Sequence, residues 1–436
     1  VTSAGESPAR VLRRLAPSVY VPTLLEFIGQ SALLPVVPLL ALQLGFAVPQ
    51  AAALALVLGV FSVLGPIPAG RLIERVGARP ALVVSGAVLV AADGAAFVVI
   101  TPGLTGAPEA SHRAALLAVL VVIAACTQVW KLGRQAYLGS ALPPAMRARG
   151  MTLFGGMIRI GQVIGPLAGA AVLATGHDTA AFLLYAGTGA LATVMVAVFL
   201  PPGERARQGA VAGVARSVRT PLRRRLDRAV LARMVRVGLG IAPVMMSRVN
   251  RPVVVPLLGA ALGLDAAAVS LVFGISALVE IAMVVPAGTL MDRRGRAAVA
   301  VPCALVMGAG YVLLAVAAAT LGERGPGTAM AALLLPSLLI ALGNGLGAGI
   351  VMTLGIDLSP VHGRTGYLAW WNTLLGTGSV LAPLLVSAIT LVAPVTVAGA
   401  ATGALCLAGG AWLARVLPGV TPAGGTRGAA RGTAPR

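Results

Sequence analysis

Apolar runs of about 20 residues or more, separated by short polar gaps, fill the chain from position 17 to position 416. A helix needs about 20 apolar residues to cross the hydrocarbon of a bilayer, and glycine or proline inside it is tolerated where neighbouring helices re-satisfy the backbone. The runs that meet this rule are 17–40, 49–69, 80–101, 114–140, 150–174, 179–200, 237–261, 266–287, 297–320, 328–357, 365–391 and 394–416. They predict an all-α membrane protein with twelve transmembrane helices. The one long polar gap, 201–236, carries Arg223, Arg224 and Arg225 in a row. It divides the chain into an N-terminal six-helix half (1–200), a basic linker (201–236), a C-terminal six-helix half (237–417) and a tail (418–436) expected to be disordered.

The halves repeat one another. Gly70, Leu72, Glu74, Arg75 and Gly77 recur as Gly288, Leu290, Asp292, Arg293 and Gly295, each pair 218 residues apart, which is half of the 436-residue chain. Pro144 and Pro360 form a second pair, each followed by arginine and then by an apolar stretch holding Pro166 or Pro383. Six spans per half is an even number, so both halves enter the membrane in the same direction and form parallel repeats.

Composition sharpens this picture. Hydrophobic residues make up 58% and charged residues 11% of the chain, against roughly 45–50% and 25% in soluble domains. A formal charge of +20 would point to nucleic acid in a soluble protein, but here the position of the charge decides. Alternate gaps, with the termini and Arg415 at the end of the last span, hold 26 of the 33 Lys and Arg; the opposite gaps hold only Arg113 and Arg324. That asymmetry is the positive-inside rule. It predicts a multi-pass protein of the cell membrane with both termini and the linker in the cytoplasm, in contact with lipid and not with nucleic acid. The apolar run after Arg10, Arg13 and Arg14 is too long for a cleaved signal and is expected to be retained as the first span. Cys126, Cys303 and Cys406 stand alone in apolar runs, and His112, His177 and His362 fall in predicted gaps, so the sequence offers no metal site, cofactor site or enzymatic centre. No GxxxxGK[ST] motif is present to support ATP-driven transport.

Twelve spans in two parallel halves, a basic central gap and the run Gly288-Thr-Leu-Met-Asp292-Arg293-Arg-Gly295-Arg296 resemble the major facilitator superfamily of secondary transporters, over essentially the whole chain. The resemblance implies alternating access about a midplane site. It assigns a gating role on the cytoplasmic side to the two loops, Gly70, Glu74, Arg75 and Gly77 in one and Gly288, Asp292, Arg293, Gly295 and Arg296 in the other. Glycine suits a tight turn or close helix approach, and the acid can meet a neighbouring helix N-terminus or an arginine. The first copy departs from the pattern with Glu74 for the usual Asp and Ala78 where arginine is common.

Two further stretches resemble proton-coupled drug exporters of the superfamily. Gly29, five residues and then Pro35-x-x-Pro38 is similar to a first-helix pattern of these exporters. Gly161-x3-Gly165-Pro166-x2-Gly169 resembles the fifth-helix motif of the antiporter branch. Together they imply export, although helix packing and bending account for each taken singly. The arginine that such exporters carry deep in span four is missing: the expected spacing falls near Leu120, and Lys131 and Arg134 stand nearer the cytoplasmic end. In the second half the glycine motif is reduced to Gly378-x3-Ala382-Pro383.

Charges inside spans cost about 2.5–3.5 kcal/mol each on insertion scales, which makes them functional candidates. Glu26 and Glu280 lie near the midplane and Asp93 nearer the external side. Each is a proton-coupling candidate, Glu26 first because it shares a helix with the proline pattern; the alternative for each is a structural ion pair with a basic neighbour. Arg159, Arg248, Asn250, Arg251, Lys131, Arg134 and Gln30 are cavity candidates. Their surplus of positive charge predicts substrates bearing an anionic group, since arginine pairs well with carboxylate or phosphate. The expected function is secondary active transport, by proton-coupled export of drug-like or metabolic small molecules, with the protein acting as a monomer. The alternatives are a proton-coupled or facilitative importer of a small anionic metabolite and, more remotely, a non-transporting sensor or scaffold.

Overall fold

A computed structural model describes residues 8–142, 146–201, 227–321, 325–360 and 364–419. Arg223 to Arg225, Pro144, Arg324, His362, most of the linker and nearly all of the tail lie outside them. Among the described residues eleven helices are long and apolar enough to span a membrane, and a bent pair makes the twelfth. In chain order they are α1 (Leu12–Gln43), α2 (Val48–Leu64 with Pro66–Val76), α3 (Ala78–Thr105), α4 (Ala110–Leu138), α5 (Arg149–Leu173), α6 (Ala180–Phe199), α7 (Arg228–Ala261), α8 (Ala266–Arg294), α9 (Ala297–Leu321), α10 (Pro326–Leu358), α11 (Gly366–Thr390) and α12 (Val395–Val416). The protein is an all-helical, multi-pass membrane protein.

Four spans are interrupted: α8 pauses at Met283, between Ala282 and Val284, and the other three each show a local reason. In α1 the regular helix stops at Leu33 and resumes at Val37, because Pro35 and Pro38 supply no N–H to the ladder. In α2 the two limbs meet at 55° around Gly65 and Pro66. Pro66 opens the second limb, and a side chain at Gly65 would lie 2.4 Å from the Phe61 carbonyl and 2.7 Å from Gln128. In α10 the helix runs to Leu346 and restarts at Ile350, with Gly349 at φ +79°. The sequence reading missed this break, although Gly343, Gly345, Gly347 and Gly349 recur every second residue.

Two expectations are corrected. The linker does not extend to 236, since α7 already begins at Arg228. The duplicated motifs are mostly helix rather than loop: Gly70, Glu74 and Arg75 lie in Pro66–Val76, and Gly288, Asp292 and Arg293 in Val284–Arg294. The reason is that Leu, Glu, Arg and Met are good helix formers, so the helix continues past the membrane until glycine ends it. Gly77 (φ +91°, ψ 159°) and Gly295 (φ +85°, ψ 178°) stop the two copies in nearly one conformation, in the region of φ that a Cβ disfavours. The repeat seen in sequence is thus also a repeat of backbone.

The described residues fall into two compact units that do not coincide with the halves: segments 252–275 and 383–395 belong with the N-terminal unit, and the rest of α7 to α12 forms the second. In the first unit Gly274 meets Leu167, and Ser387 donates to the Pro49 carbonyl at 2.9 Å. Helices gain no hydrophobic drive for association inside lipid, so close packing carries the unit. A Cβ at Gly161, Gly165 or Gly169 of α5 would lie 2.7 Å from Phe27 Cβ, 2.4 Å from the Ile28 carbonyl and 3.2 Å from Ala32 Cβ of α1. On α1's other side a Cβ at Gly29 would lie 2.4 Å from both Tyr185 and Thr188 of α6. Glycine therefore seats α1 between α5 and α6. The second unit has a core of Met234, Ile241, Met307, Leu354, Trp371 and Leu413 with their neighbours, drawn from α7, α9, α10, α11 and α12. Tyr311 donates to the Ser247 carbonyl at 2.5 Å and Trp371 Nε1 to Val351 at 3.1 Å, which ties polar groups inside that core.

Candidate substrate and proton site

Charged side chains inside the spans collect into one arrangement in each unit. In the first, Glu26 of α1 forms an ion pair with Arg134 Nη2 of α4. The two side chains are 4% and 1% exposed. Arg134 Nε also donates to the Trp130 carbonyl at 3.0 Å, and the guanidinium stacks over the Trp130 ring at 5.0 Å and near Phe154 at 6.0 Å. This guanidinium is therefore held by carboxylate, carbonyl and aromatic faces at once. Arg134 Nη1 and Trp130 Nε1 are buried nitrogens of the group without a partner among the described residues. Asp93 of α3 is fully buried, and both its oxygens lack a hydrogen-bond partner among the described residues. Tyr185 of α6 sits within electrostatic range of Glu26, Asp93 and Arg134, and its hydroxyl is likewise unpartnered among them.

In the second unit the charges are more open. Arg251 Nη1 of α7 donates to Glu280 Oε2 of α8 at 3.0 Å, the side chains being 11% and 18% exposed. One turn earlier on α7, Arg248 Nη2 donates at 3.0 Å to the Gly347 carbonyl, at the break in α10. Arg248 Nε is buried and without a partner among the described residues. A side chain at position 347 would strike Cys303 Sγ at 2.3 Å and Arg248 Nη2 at 2.7 Å, so glycine there is what lets the arginine reach the backbone. Asn250 turns away: it is fully buried, with Nδ2 donating to Thr402 of α12 at 3.1 Å. The remaining candidates differ in burial. Gln30 and Arg159 are half-buried and Lys131 is exposed.

At the ends of α2 and α8, Glu74, Arg75, Asp292 and Arg293 are exposed. Gly70 and Gly288 have open space where a Cβ would be, so neither serves a close helix approach here. Among the described residues, the motif's Arg296 forms an ion pair, its Nε donating to Asp357 Oδ2 at the end of α10 at 2.6 Å.

The sequence profile of the major facilitator superfamily matches residues 20–249 and 237–435, nearly the whole chain. The chain belongs to the major facilitator superfamily. No curated protein matches it. Among solved structures, it is similar to a POT family transporter in complex with 5-aminolevulinic acid (14% identity, TM-score 0.72, covering 95% of this chain and 97% of that one). It is also similar to a peptide transporter POT in complex with sulfate (15%, 0.70, 94% and 95%) and to the nucleoside transporter NupG (13%, 0.66, 93% and 99%). At these identities the likeness establishes the shared fold. It does not single out the drug-exporter branch of the superfamily that the first-helix and fifth-helix patterns suggested.

Of the charged candidates, the major facilitator fold brings together Glu26 with Arg134 and Arg251 with Glu280, and places Arg248 beside the latter pair along α7. Sequence reasoning missed Gly347, Thr402, Tyr185 and the Asp357 partner of Arg296. The glycine alternation in α10 was a usable signal for the first; the others depend on helix rotation, which no local pattern encodes.

Proposed function

We propose that this chain is a proton-coupled secondary transporter whose substrate bears an anionic group. The observation that carries the reading is the accessible Arg251–Glu280 pair beside Arg248. An arginine that already holds a carboxylate at 3.0 Å can exchange it for a carboxylate or phosphate of similar geometry. Glu280, once released inside a membrane span, is stabilised by taking up a proton, because an unpaired charge there is costly. Anion and proton then bind together and discharge together, which favours symport and uptake. Arg248 adds a second guanidinium about 4.5 Å further along the helix axis, with a donor to spare. The solved relatives bound to 5-aminolevulinic acid and to sulfate carry anionic groups of the kind this reading requires.

Export by antiport is the second reading, favoured by Asp93. A sealed carboxyl without a partner among the described residues is a proton-binding group independent of the substrate arginines, which antiport can use. Proteoliposomes with an imposed pH gradient separate the two. Symport predicts that small carboxylates accumulate on the alkaline side and that Glu280→Gln uncouples uptake from the gradient. Accumulation of amphiphiles on the acidic side, lost in Asp93→Asn and kept in Glu280→Gln, would establish antiport instead. Movement indifferent to the gradient in every variant would reject proton coupling.

A further inference from the structure

The 55° bend in α2 has a second effect, on the lipid-facing side of the first unit. It swings the limb Pro66–Val76 so that a crevice of about 390 Å³ opens between it, α3 and α4. Leu72 and Val76 form one wall, Val84 and Val88 of α3 the second, and Cys126 and Val129 of α4 the floor. The hydroxyl of Ser85, which also borders the crevice, is turned to its own helix, donating to the Ala81 carbonyl at 2.6 Å. Val84 and Val76 are 63% and 49% exposed, so the crevice is open to whatever surrounds the protein.

The same limb carries Arg71 and Arg75, both exposed. At about 100° per residue, Arg75 stands roughly 60° around the helix from Leu72, whereas Glu74 stands roughly 160° from Val76. Arg71 stands roughly 100° from Leu72 on that same side, so both basic groups lie along one edge of the apolar wall and the acid lies opposite it. Chain repetition does not impose this arrangement: the positions matching Arg71 and Val76 are Thr289 and Arg294, so the second copy has neither the same wall nor the same pair of cations. An apolar slot whose limb carries two surface arginines, neither ion-paired among the described residues, complements an amphiphile with an anionic head.

We infer that this crevice is a binding site for an anionic phospholipid, with an acyl chain between α2, α3 and α4 and the phosphate held by Arg71 and Arg75. The site shares no residue with either ion pair and does not depend on the substrate reading. A guanidinium suits phosphate by its paired donors, and a basic cluster at a span's end attracts acidic headgroups.

Native mass spectrometry of the full chain in detergent tests it, with phosphatidylglycerol and phosphatidylcholine of matched chains added in equal amounts. The expected result is several-fold greater retention of phosphatidylglycerol by the wild type, reduced to the phosphatidylcholine level in Arg71→Gln/Arg75→Gln. Val84→Trp, which fills the slot from an exposed position, is expected to lower retention of both lipids. Equal retention of the two lipids by the wild type overturns the proposal. So does a preference that survives Arg71→Gln/Arg75→Gln, or one abolished instead by Arg293→Gln/Arg294→Gln in the second copy.

Discussion

The two halves each hold an arginine and a carboxylate inside the membrane, and they use them differently. Glu26 and Arg134 are sealed at 4% and 1% exposure, with an aromatic ring over the guanidinium, whereas Glu280 and Arg251 remain at 18% and 11%. A sealed pair fixes helices: separating it would strand two charges, so it behaves as a clamp between α1 and α4. An accessible pair leaves room for exchange, because a competing anion can reach the arginine. The contrast extends to packing. A methyl at Gly161 of α5 would lie 2.7 Å from Phe27 Cβ, while the matching Gly378 of α11 has its nearest neighbour, Met246 Cγ, at 3.5 Å. It extends to the membrane edge as well, where Arg296 pairs with Asp357 in the second half and the corresponding positions in the first are Ala78 and Ala141. Both partners are absent together. The first half seals its ion pair and is bare at its edge; the second leaves its pair reachable and is pinned at its edge.

Removing one member of the sealed pair is the strongest way to break this contrast. Arg134→Ala is expected to lower stability by about 3–5 kcal/mol, read as thermal unfolding in detergent. Glu26→Leu with Arg134→Met should recover most of it; a double variant as unstable as the single would show that the pair does more than cancel charge. Next comes packing. Gly165→Ala forces a methyl to 2.4 Å from a carbonyl and should destabilise by about 1–3 kcal/mol. Gly378→Ala has room, and its gain in helix propensity makes it neutral or stabilising by up to about 1 kcal/mol. Glu280→Gln should change stability by less than about 1 kcal/mol, as expected of a partly solvated pair, yet remove the response of transport to a pH gradient. The smallest effect is at the edge: Arg296→Ala should cost at most about 1 kcal/mol, and installing Ala78→Arg with Ala141→Asp should gain no more than that.

How far the sequence spoke depended on whether a feature is local. The number of spans, the break in α1 and the twin turns were legible because apolar length, proline and glycine act on their own backbone. The helical extent of the duplicated motif was misjudged, since charge was taken to mean loop where Leu72, Glu74 and Arg75 favour helix. Pairing was the part out of reach. Glu26 and Arg134 are 108 residues apart, and nothing in either span states which face turns inward. Lys131 and Arg134 had equal standing in the sequence, and the fold buries one and exposes the other. Arg296 meets Asp357 only because the end of α10 lies beside the start of α9, which neither segment's sequence states.

The glycine contacts between α1 and α5 also bear on how this protein can change over generations. Most lipid-facing positions, such as Val98 and Val198 at 68% and 66% exposure, tolerate any apolar residue and are free to drift. At Gly161 and Gly165 even the smallest substitution collides with backbone, so almost no mutational step away from glycine is neutral there. A deep mutational scan of this gene should therefore show a narrow line of intolerance one helical face wide, running down α5 beside otherwise permissive neighbours.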